Sequence, residues 1–235
     1  MITNKKKFYG RYNEDYYQER IKYYSKKHMI KYIKYFLKKN EIKWLDIGCG
    51  LGYFVKEAVE EGVDCYGIDI SEYAVKNAII KDRIKLGSIT NIPFGDETFD
   101  VVSAFDVIEH IHPKDTEKAF SEIYRVLKKG GYLIMTTPNP CHIGDWIRDD
   151  THINVRPPKF WNEMLKKFRF NVKMYYVPSF LKYYISDKFA IKIAISDKIA
   201  FWIEKPLRYF IGYIYNKKGR LYLFARKEGV KNESE

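Results

Sequence analysis

Cysteine is scarce in this chain. Cys49, Cys65 and Cys141 are the only thiols in 235 residues, too few and too scattered for a disulfide framework or a zinc site. Long apolar runs are missing as well, since no stretch reaches the ~18 residues that cross a bilayer. The opening Met1-Ile2-Thr3-Asn4-Lys5-Lys6-Lys7-Phe8 holds no apolar segment of signal-peptide length. These absences argue against a disulfide-stapled secreted domain and against a spanning segment, and the chain reads as cytoplasmic. Its 235 residues suit one α/β domain with a substantial core, because such folds commonly run to ~250 residues.

Negative charge is also in the minority, and unevenly so. From residue 44 to 140, ten basic side chains face sixteen acidic ones, a balance of −6. Residues 1–43 carry thirteen against four and residues 141–235 nineteen against ten, which is +9 in each flank. The basic character therefore belongs to the flanks, and it points to an anionic partner: a phosphorylated or carboxylated metabolite, a membrane surface or RNA. A lysine-rich surface also serves solubility alone.

What the chain does have is concentrated near residue 50. Lys43 to Phe54 reads Lys-Trp-Leu-Asp-Ile-Gly-Cys-Gly-Leu-Gly-Tyr-Phe: an apolar strand, an acid, and glycines at Gly48, Gly50 and Gly52 before a helix. Alternating glycines let the backbone turn sharply and approach a ligand with no Cβ in the way. The following helix then aims its N-terminus at that ligand. A dinucleotide site wants glycines at the first, third and sixth positions, and here the sixth is Tyr53. Asp46 would repel a pyrophosphate but can accept hydrogen bonds from an amino acid's ammonium group. Val63 to Ile68 reads as a second buried strand, and it ends at Asp69. That is the place, about 20 positions after the loop, where a nucleotide-binding α/β fold holds ribose hydroxyls. Asp69 and Ser71 can equally cap the next helix.

The pattern Asp46-x-Gly48-x-Gly50-x-Gly52 resembles the first motif of the class I S-adenosylmethionine-dependent methyltransferases. The resemblance implies S-adenosylmethionine as cofactor, contacted by Asp46, Gly48, Cys49, Gly50 and Gly52, with its ribose on Asp69 and Ile70 against its adenine. Gly87-Ser88-Ile89-Thr90-Asn91-Ile92-Pro93-Phe94 looks like the third motif, and puts Ser88 and Ile89 at the adenine. Ser88 stands where an Asp is common, so a hydroxyl replaces a charged acceptor. Phe99 to Phe105, followed by Asp106-Val107-Ile108-Glu109-His110-Ile111, resembles the fourth motif, with Phe105 and Asp106 at the cofactor. The branch is that of the ubiquinone-biosynthesis O-methyltransferases and the type 11 and type 23 methyltransferase domains, many of which act on small molecules, sugars and lipids. Val126 to Ile134 is similar to the helix, glycine turn and strand that come next. The resemblance covers residues 40 to 140 and fades in the flanks. It implies a Rossmann-like, doubly wound α/β fold: a seven-stranded sheet, mostly parallel with an antiparallel final strand, and helices on both faces.

Periodicity places strands near 43–47, 63–68, 83–87, 99–105 and 131–136, with helices near 53–61, 71–80 and 114–128. Tyr12 to Lys39 has helical spacing and forms an N-terminal cap over 1–42. Pro157 opens a helix through Lys167; 171–177 and 219–226 alternate as closing strands. The methyltransferase core is thus 43–178, and 219–235 holds the final strand and a polar tail. Between them, 179–218 is rich in aromatics with lysines at Lys182, Lys188, Lys192, Lys198 and Lys205. Adjacent strands need only a short hairpin loop, so this stretch reads either as a lid with peripheral membrane or lipid contact or as helices packed on the body or in a homodimer interface.

Methyl transfer from a sulfonium is an in-line displacement, catalysed largely by positioning and water exclusion. A hydroxyl acceptor also calls for a base near neutral pKa. His110 at the carboxyl edge of the fourth strand is the leading candidate, and a histidine hydrogen-bonded at a helix start is the bland alternative. His142 and His152, in the polar run from Thr137 to Asn154, are further candidates for acceptor binding or proton transfer. In the ubiquinone O-methyltransferases an acidic-x-x-Glu-His arrangement can hold a divalent metal, which Asp106, Glu109 and His110 would match; the primary reading takes no metal. The expected activity is methylation, at oxygen, of a small-molecule, sugar or lipid-like acceptor. RNA or protein as acceptor, and a non-catalytic membrane-docking protein, are the rivals. Enzymes that methylate exocyclic base amines carry Asn or Asp-Pro-Pro-aromatic where this chain has Asp106-Val107-Ile108, and the intact loop speaks against lost cofactor binding.

Overall fold

The computed structural model describes residues 16, 17, 26–138, 140, 149–173 and 220–228. The 179–218 stretch, Cys141 and His142 lie outside the described residues. Seven strands, β1 (Lys43–Ile47), β2 (Asp64–Asp69), β3 (Ile84–Leu86), β4 (Phe99–Phe105), β5 (Leu127–Pro138), β6 (Phe170–Lys173) and β7 (Arg220–Lys227), form one sheet in the order β3-β2-β1-β4-β5-β7-β6. β1 to β5 run parallel, and β7 runs antiparallel to both β5 and β6. The order reverses between β1 and β4. At such a switch point the loops leave in opposite directions and open a crevice beyond the carboxyl ends of the strands.

Alternation along the central strands divides the core in two. Trp44 and Val101 face a cluster with Ile30, Ile33, Phe54, Val55 and Phe224. Their chain neighbours Leu45 and Val102 face another with Phe120, Ile123, Leu133 and Trp161. Helices α1 (Lys27–Leu37) and α2 (Tyr53–Glu60) cover the first face; α4 (Thr116–Val126) and α5 (Pro158–Lys167) cover the second. In α4 the buried residues Ala119, Phe120, Ile123 and Val126 follow the 3.6-residue period of one apolar stripe.

Two boundaries depart clearly from the expectation. Helix α3 (Glu72–Lys76) stops short of residue 80, because the Asn77 amide donates to its own helix at the Tyr73 carbonyl and the Ile79 amide turns to the Leu51 carbonyl. β5 starts at Leu127 and runs through Gly130 and Gly131, where a turn was expected. Gly130 takes φ 74°, and the pairing with β4 slips between Phe99 and Val101, so the glycines kink a strand without ending it. The N-terminal helix is described from Lys27 to Leu37, within the expected 12–39 span.

Candidate functional site

The glycine loop leaves β1 at the switch point. Its Gly48 and Cys49 amides donate to the Ile68 carbonyl, at 2.8 and 3.1 Å. Gly48 takes φ 69°, and a Cβ there would lie 2.5 Å from Val107 Cγ2. The loop therefore packs directly on the turn that follows β4. Gly52, at φ 85°, starts α2.

Two buried carboxylates flank the loop. Asp69 accepts from the Gly50 amide at 2.8 Å and from the Ser71 amide at 2.9 Å, with the Ile70 amide and the Tyr17 hydroxyl nearby. Burial raises its pKa and these donors oppose the rise. Asp46 accepts from the Ser103 hydroxyl at 2.6 Å, and Ser103 in turn accepts from Trp44 Nε1 at 2.8 Å. Burial pushes the Asp46 carboxyl up to about 7, against the opposite pull of the Ser103 bond and the Lys26 ammonium.

Asp46, Gly48, Cys49, Gly50, Leu51, Tyr53, Phe54 and Phe105 line a cleft together with Tyr17 and Lys26. Phe54 and Phe105 meet edge to face, and Lys26 Nζ stands 4.7 Å above the Phe105 ring. A carboxylate and an ammonium on one cleft complement the two charges of an amino-acid zwitterion. Tyr17 stacks on Tyr73 with an interplanar angle of 14°. Ile70, 37% exposed, offers apolar surface just past β2. Of the third-motif residues, Ile89 is buried in the core, and Ser88 bonds Thr90 locally through its hydroxyl.

Beyond β4 the expected residues separate. Asp106, at φ 54°, is held toward β5: its amide donates to Thr136, whose hydroxyl donates back to its carboxylate at 2.9 Å. Glu109 and His110 instead converge with His152, their ligand-type atoms all within 4.8 Å of one another. The segment 149–154 is strapped onto this turn, since the Asn154 amide donates to the Glu109 carbonyl and its side chain bonds Ile108 and Thr116. The imidazoles of His110 and His152 lie 4.8 Å apart, centre to centre.

The protons in this cluster can be assigned. Desolvation alone would raise Asp149, but bonds from the Thr151 hydroxyl and amide, with the nearby imidazoles, hold it down at about 2. An ionised Asp149 only accepts, so the Thr151 hydroxyl spends its single hydrogen on it. His110 Nδ1, 2.9 Å from that hydroxyl oxygen and 3.2 Å from the Thr151 carbonyl, must then be the donor. The neutral tautomer with its proton on Nδ1 carries its lone pair on Nε2. Such an imidazole can take a proton or bind a cation.

Sequence reasoning picked out Asp46, Asp69, His110 and His152, but missed Tyr17, Lys26 and Ser103. Ser103 had a signal: it is the one hydroxyl in the buried run Phe-Asp-Val-Val-Ser-Ala-Phe of β4. Tyr17 and Lys26 had none, being one tyrosine of 21 and one lysine of a basic flank.

A seven-stranded sheet in this order, with an acid and a glycine loop at its switch point, defines a Rossmann-like protein with a nucleoside cofactor. The model of the methyltransferase-domain family matches residues 16–173. The chain belongs to that family, as a class I S-adenosylmethionine-dependent methyltransferase of the type 11 and type 23 branch, and its cofactor is S-adenosylmethionine. An uncharacterised protein of Methanocaldococcus jannaschii is 31% identical over 179 residues, 75% of this chain and 74% of that one. Phosphoethanolamine N-methyltransferase 2 of Caenorhabditis elegans is 40% identical over 102 residues, 39% of this chain but 23% of its own length. Among solved structures, the Haemonchus contortus phosphoethanolamine N-methyltransferase 2 in complex with phosphomonomethylethanolamine and S-adenosylhomocysteine has the same fold. Its TM-score is 0.57 at 23% identity, over 85% of this chain and 52% of that one. Among the described residues no helix is long and apolar enough to cross a membrane.

Proposed function

We propose that the protein methylates an oxygen of a small-molecule, sugar or lipid-like acceptor that carries negative charge. The observation behind this reading is the junction at Val107. The cofactor loop packs on Val107, in the same turn that carries Glu109 and His110 of the cluster, which supports a methyl donor and a proton acceptor working together. In this reading Asp46 takes the cofactor's ammonium and Lys26 its carboxylate. Asp69 takes the ribose hydroxyls, Ile70 and the 88–89 segment border the adenine, and Phe105 and Asp106 close the sulfonium side.

An acceptor hydroxyl attacks the methyl carbon, the carbon–sulfur bond breaks, and its electron pair stays on sulfur as S-adenosylhomocysteine leaves. The hydroxyl proton passes to His110 Nε2, whose imidazolium is favoured by Glu109 and, through Thr151, by Asp149. His152 and His142 serve acceptor binding. The flanks, each at +9, supply the attraction for an anionic acceptor.

A second reading, methylation of the amine of a phosphorylated base, is favoured by the likeness to phosphoethanolamine N-methyltransferase; an ammonium acceptor would use the same base. The deciding experiment supplies the protein with methyl-labelled cofactor and cell extract, sorts the label into small-molecule, lipid, RNA and protein fractions, and identifies the product by mass spectrometry. A labelled methyl ether or ester is expected. A labelled amine establishes the second reading, and label only in RNA or protein overturns both.

A further inference from the structure

We propose that Glu109, His110 and His152 form a binding site for a divalent transition-metal ion, with His152 taking the place that the ubiquinone O-methyltransferase pattern would give to Asp106. That pattern's set does not fit this structure. Thr136 donates to the Asp106 carboxylate, and the backbone of Asp106 turns at positive φ toward β5; among the described residues the group whose donor atoms converge is Glu109, His110 and His152.

The convergence is built, not incidental. Glu109 is 0% exposed, so its carboxylate meets the two imidazoles away from solvent. His152 lies 42 residues beyond His110 in the chain, and the straps from Asn154 to Glu109 and Ile108 fix its approach. The outer residues follow the usual support of a metal-binding imidazole, in which one ring nitrogen is tied to an oxygen and the other bears the lone pair. Here the chain Asp149, Thr151, His110 Nδ1 does the tying. Asp149 also stands 3.7 Å from His152 Nε2, so both imidazoles share one acidic support.

Geometry and donor type select the ion. Bonds of about 2.0–2.2 Å to a cation of zinc's size place donor atoms roughly 3–4 Å apart, so the observed spread of up to 4.8 Å closes with side-chain shifts on the order of 1 Å. Two imidazoles with one carboxylate suit Zn²⁺ or Co²⁺ and serve Mg²⁺ poorly. Three protein donors leave positions open to the acceptor. A cation there would lower the pKa of a bound acceptor oxygen; a metal-bound His110 would then orient the acceptor in place of serving as its base, and the acceptor's proton would leave to solvent. Only this purpose rests on the methyl-transfer reading; binding of the ion is measured with no cofactor and no acceptor, so the two can fail separately.

The test uses the full chain without an affinity tag, stripped with a chelator, then titrated with Zn²⁺ by calorimetry and with Co²⁺ by visible absorption. One equivalent of each is expected to bind, with Co²⁺ bands of mixed nitrogen and oxygen coordination. His152→Asn and Glu109→Gln should each weaken binding by more than about tenfold, and Thr151→Val by ~10-fold through loss of the imidazole's support. Asp106→Asn should change neither affinity nor spectrum. Thermal melts of the metal-free variants check folding, and His152→Asn carries the test if Glu109→Gln unfolds. Absence of a saturable equivalent, unaltered binding in His152→Asn, or loss of binding in Asp106→Asn would each overturn the site.

Discussion

Asp46 sets function against stability within one side chain. An aspartate in an unfolded chain titrates near ~4, and burial moves this one to about 7. The folded state thus holds the proton more tightly. Asp46's contribution to stability is whole below pH ~4 and is lost as pH rises through about 7. Asp46→Asn should therefore raise the melting temperature of the cofactor-free protein at pH 8, by several degrees if ~2 kcal/mol is recovered at roughly 2–4 °C per kcal/mol. The same substitution removes the acceptor for the cofactor's ammonium and should weaken S-adenosylmethionine more than about tenfold at that pH. Wild-type affinity should climb between pH 6 and 8, and the variant's should stay flat. Melts and calorimetry across that range measure both effects; a variant no more stable at pH 8, with cofactor affinity intact, would refute this account of Asp46.

Asp69 leads to a prediction of the opposite sign. Its carboxylate accepts from the Gly50 and Ser71 amides, with the Ile70 amide and the Tyr17 hydroxyl nearby, and a carboxylate offers about four acceptor positions. A ribose diol needs the positions these neighbours approach, and the amides are fixed by the loop and by β2. Tyr17 is the one that can yield. Tyr17→Phe keeps the ring stacked on Tyr73 and removes the competing hydroxyl, so cofactor affinity should rise by a few-fold, equivalent to ~1 kcal/mol. Weaker binding in this variant would mean that the hydroxyl touches the cofactor itself.

Among the elements, the contact between the glycine loop and the turn after β4 joins cofactor to chemistry. Gly48→Ala asks an L-residue to adopt φ 69° and drives its methyl into Val107. Strain and overlap together should cost about 2–4 kcal/mol, seen as a lower melting temperature, with S-adenosylmethionine binding lost even where the protein stays folded. Gly48→Ala paired with Val107→Ala should recover stability without recovering full cofactor affinity, because the overlap is relieved and the strained φ remains.

These elements also mark how far the sequence could be read. β1 and β4 were legible to the residue, since continuous apolar runs bounded by turn signals have few alternatives. The Gly130-Gly131 kink was not, because glycine pairs mark turns and bulges alike and only the pairing with β4 separates them. Loop chemistry hid a cluster in the same way. His110 and His152 were each visible as polar residues near the sheet edge, but their meeting depends on the straps from Asn154, which no local pattern announces. The turn of Asp106 toward Thr136 is likewise a product of tertiary hydrogen bonding between β4 and β5.

Across the whole molecule the charges are sorted: a core at −6 between flanks at +9 each. The cofactor's amino-acid charges meet their partners inside a cleft, where salt screens weakly, whereas an anionic acceptor approaching basic flanks is steered through solvent, where a Debye length of ~8 Å at physiological salt limits the field. The two substrates should therefore part company in salt. Between 50 and 500 mM NaCl, KM for S-adenosylmethionine should change less than about twofold while KM for an anionic acceptor rises several-fold, with kcat little altered because the groups acting on the bound reactants are at short range. Neutral analogues of the acceptor should lose the salt dependence along with the charge. Equal responses of both KM values would show that the flanks carry their charge for solubility alone, and would turn the search for the acceptor toward uncharged molecules.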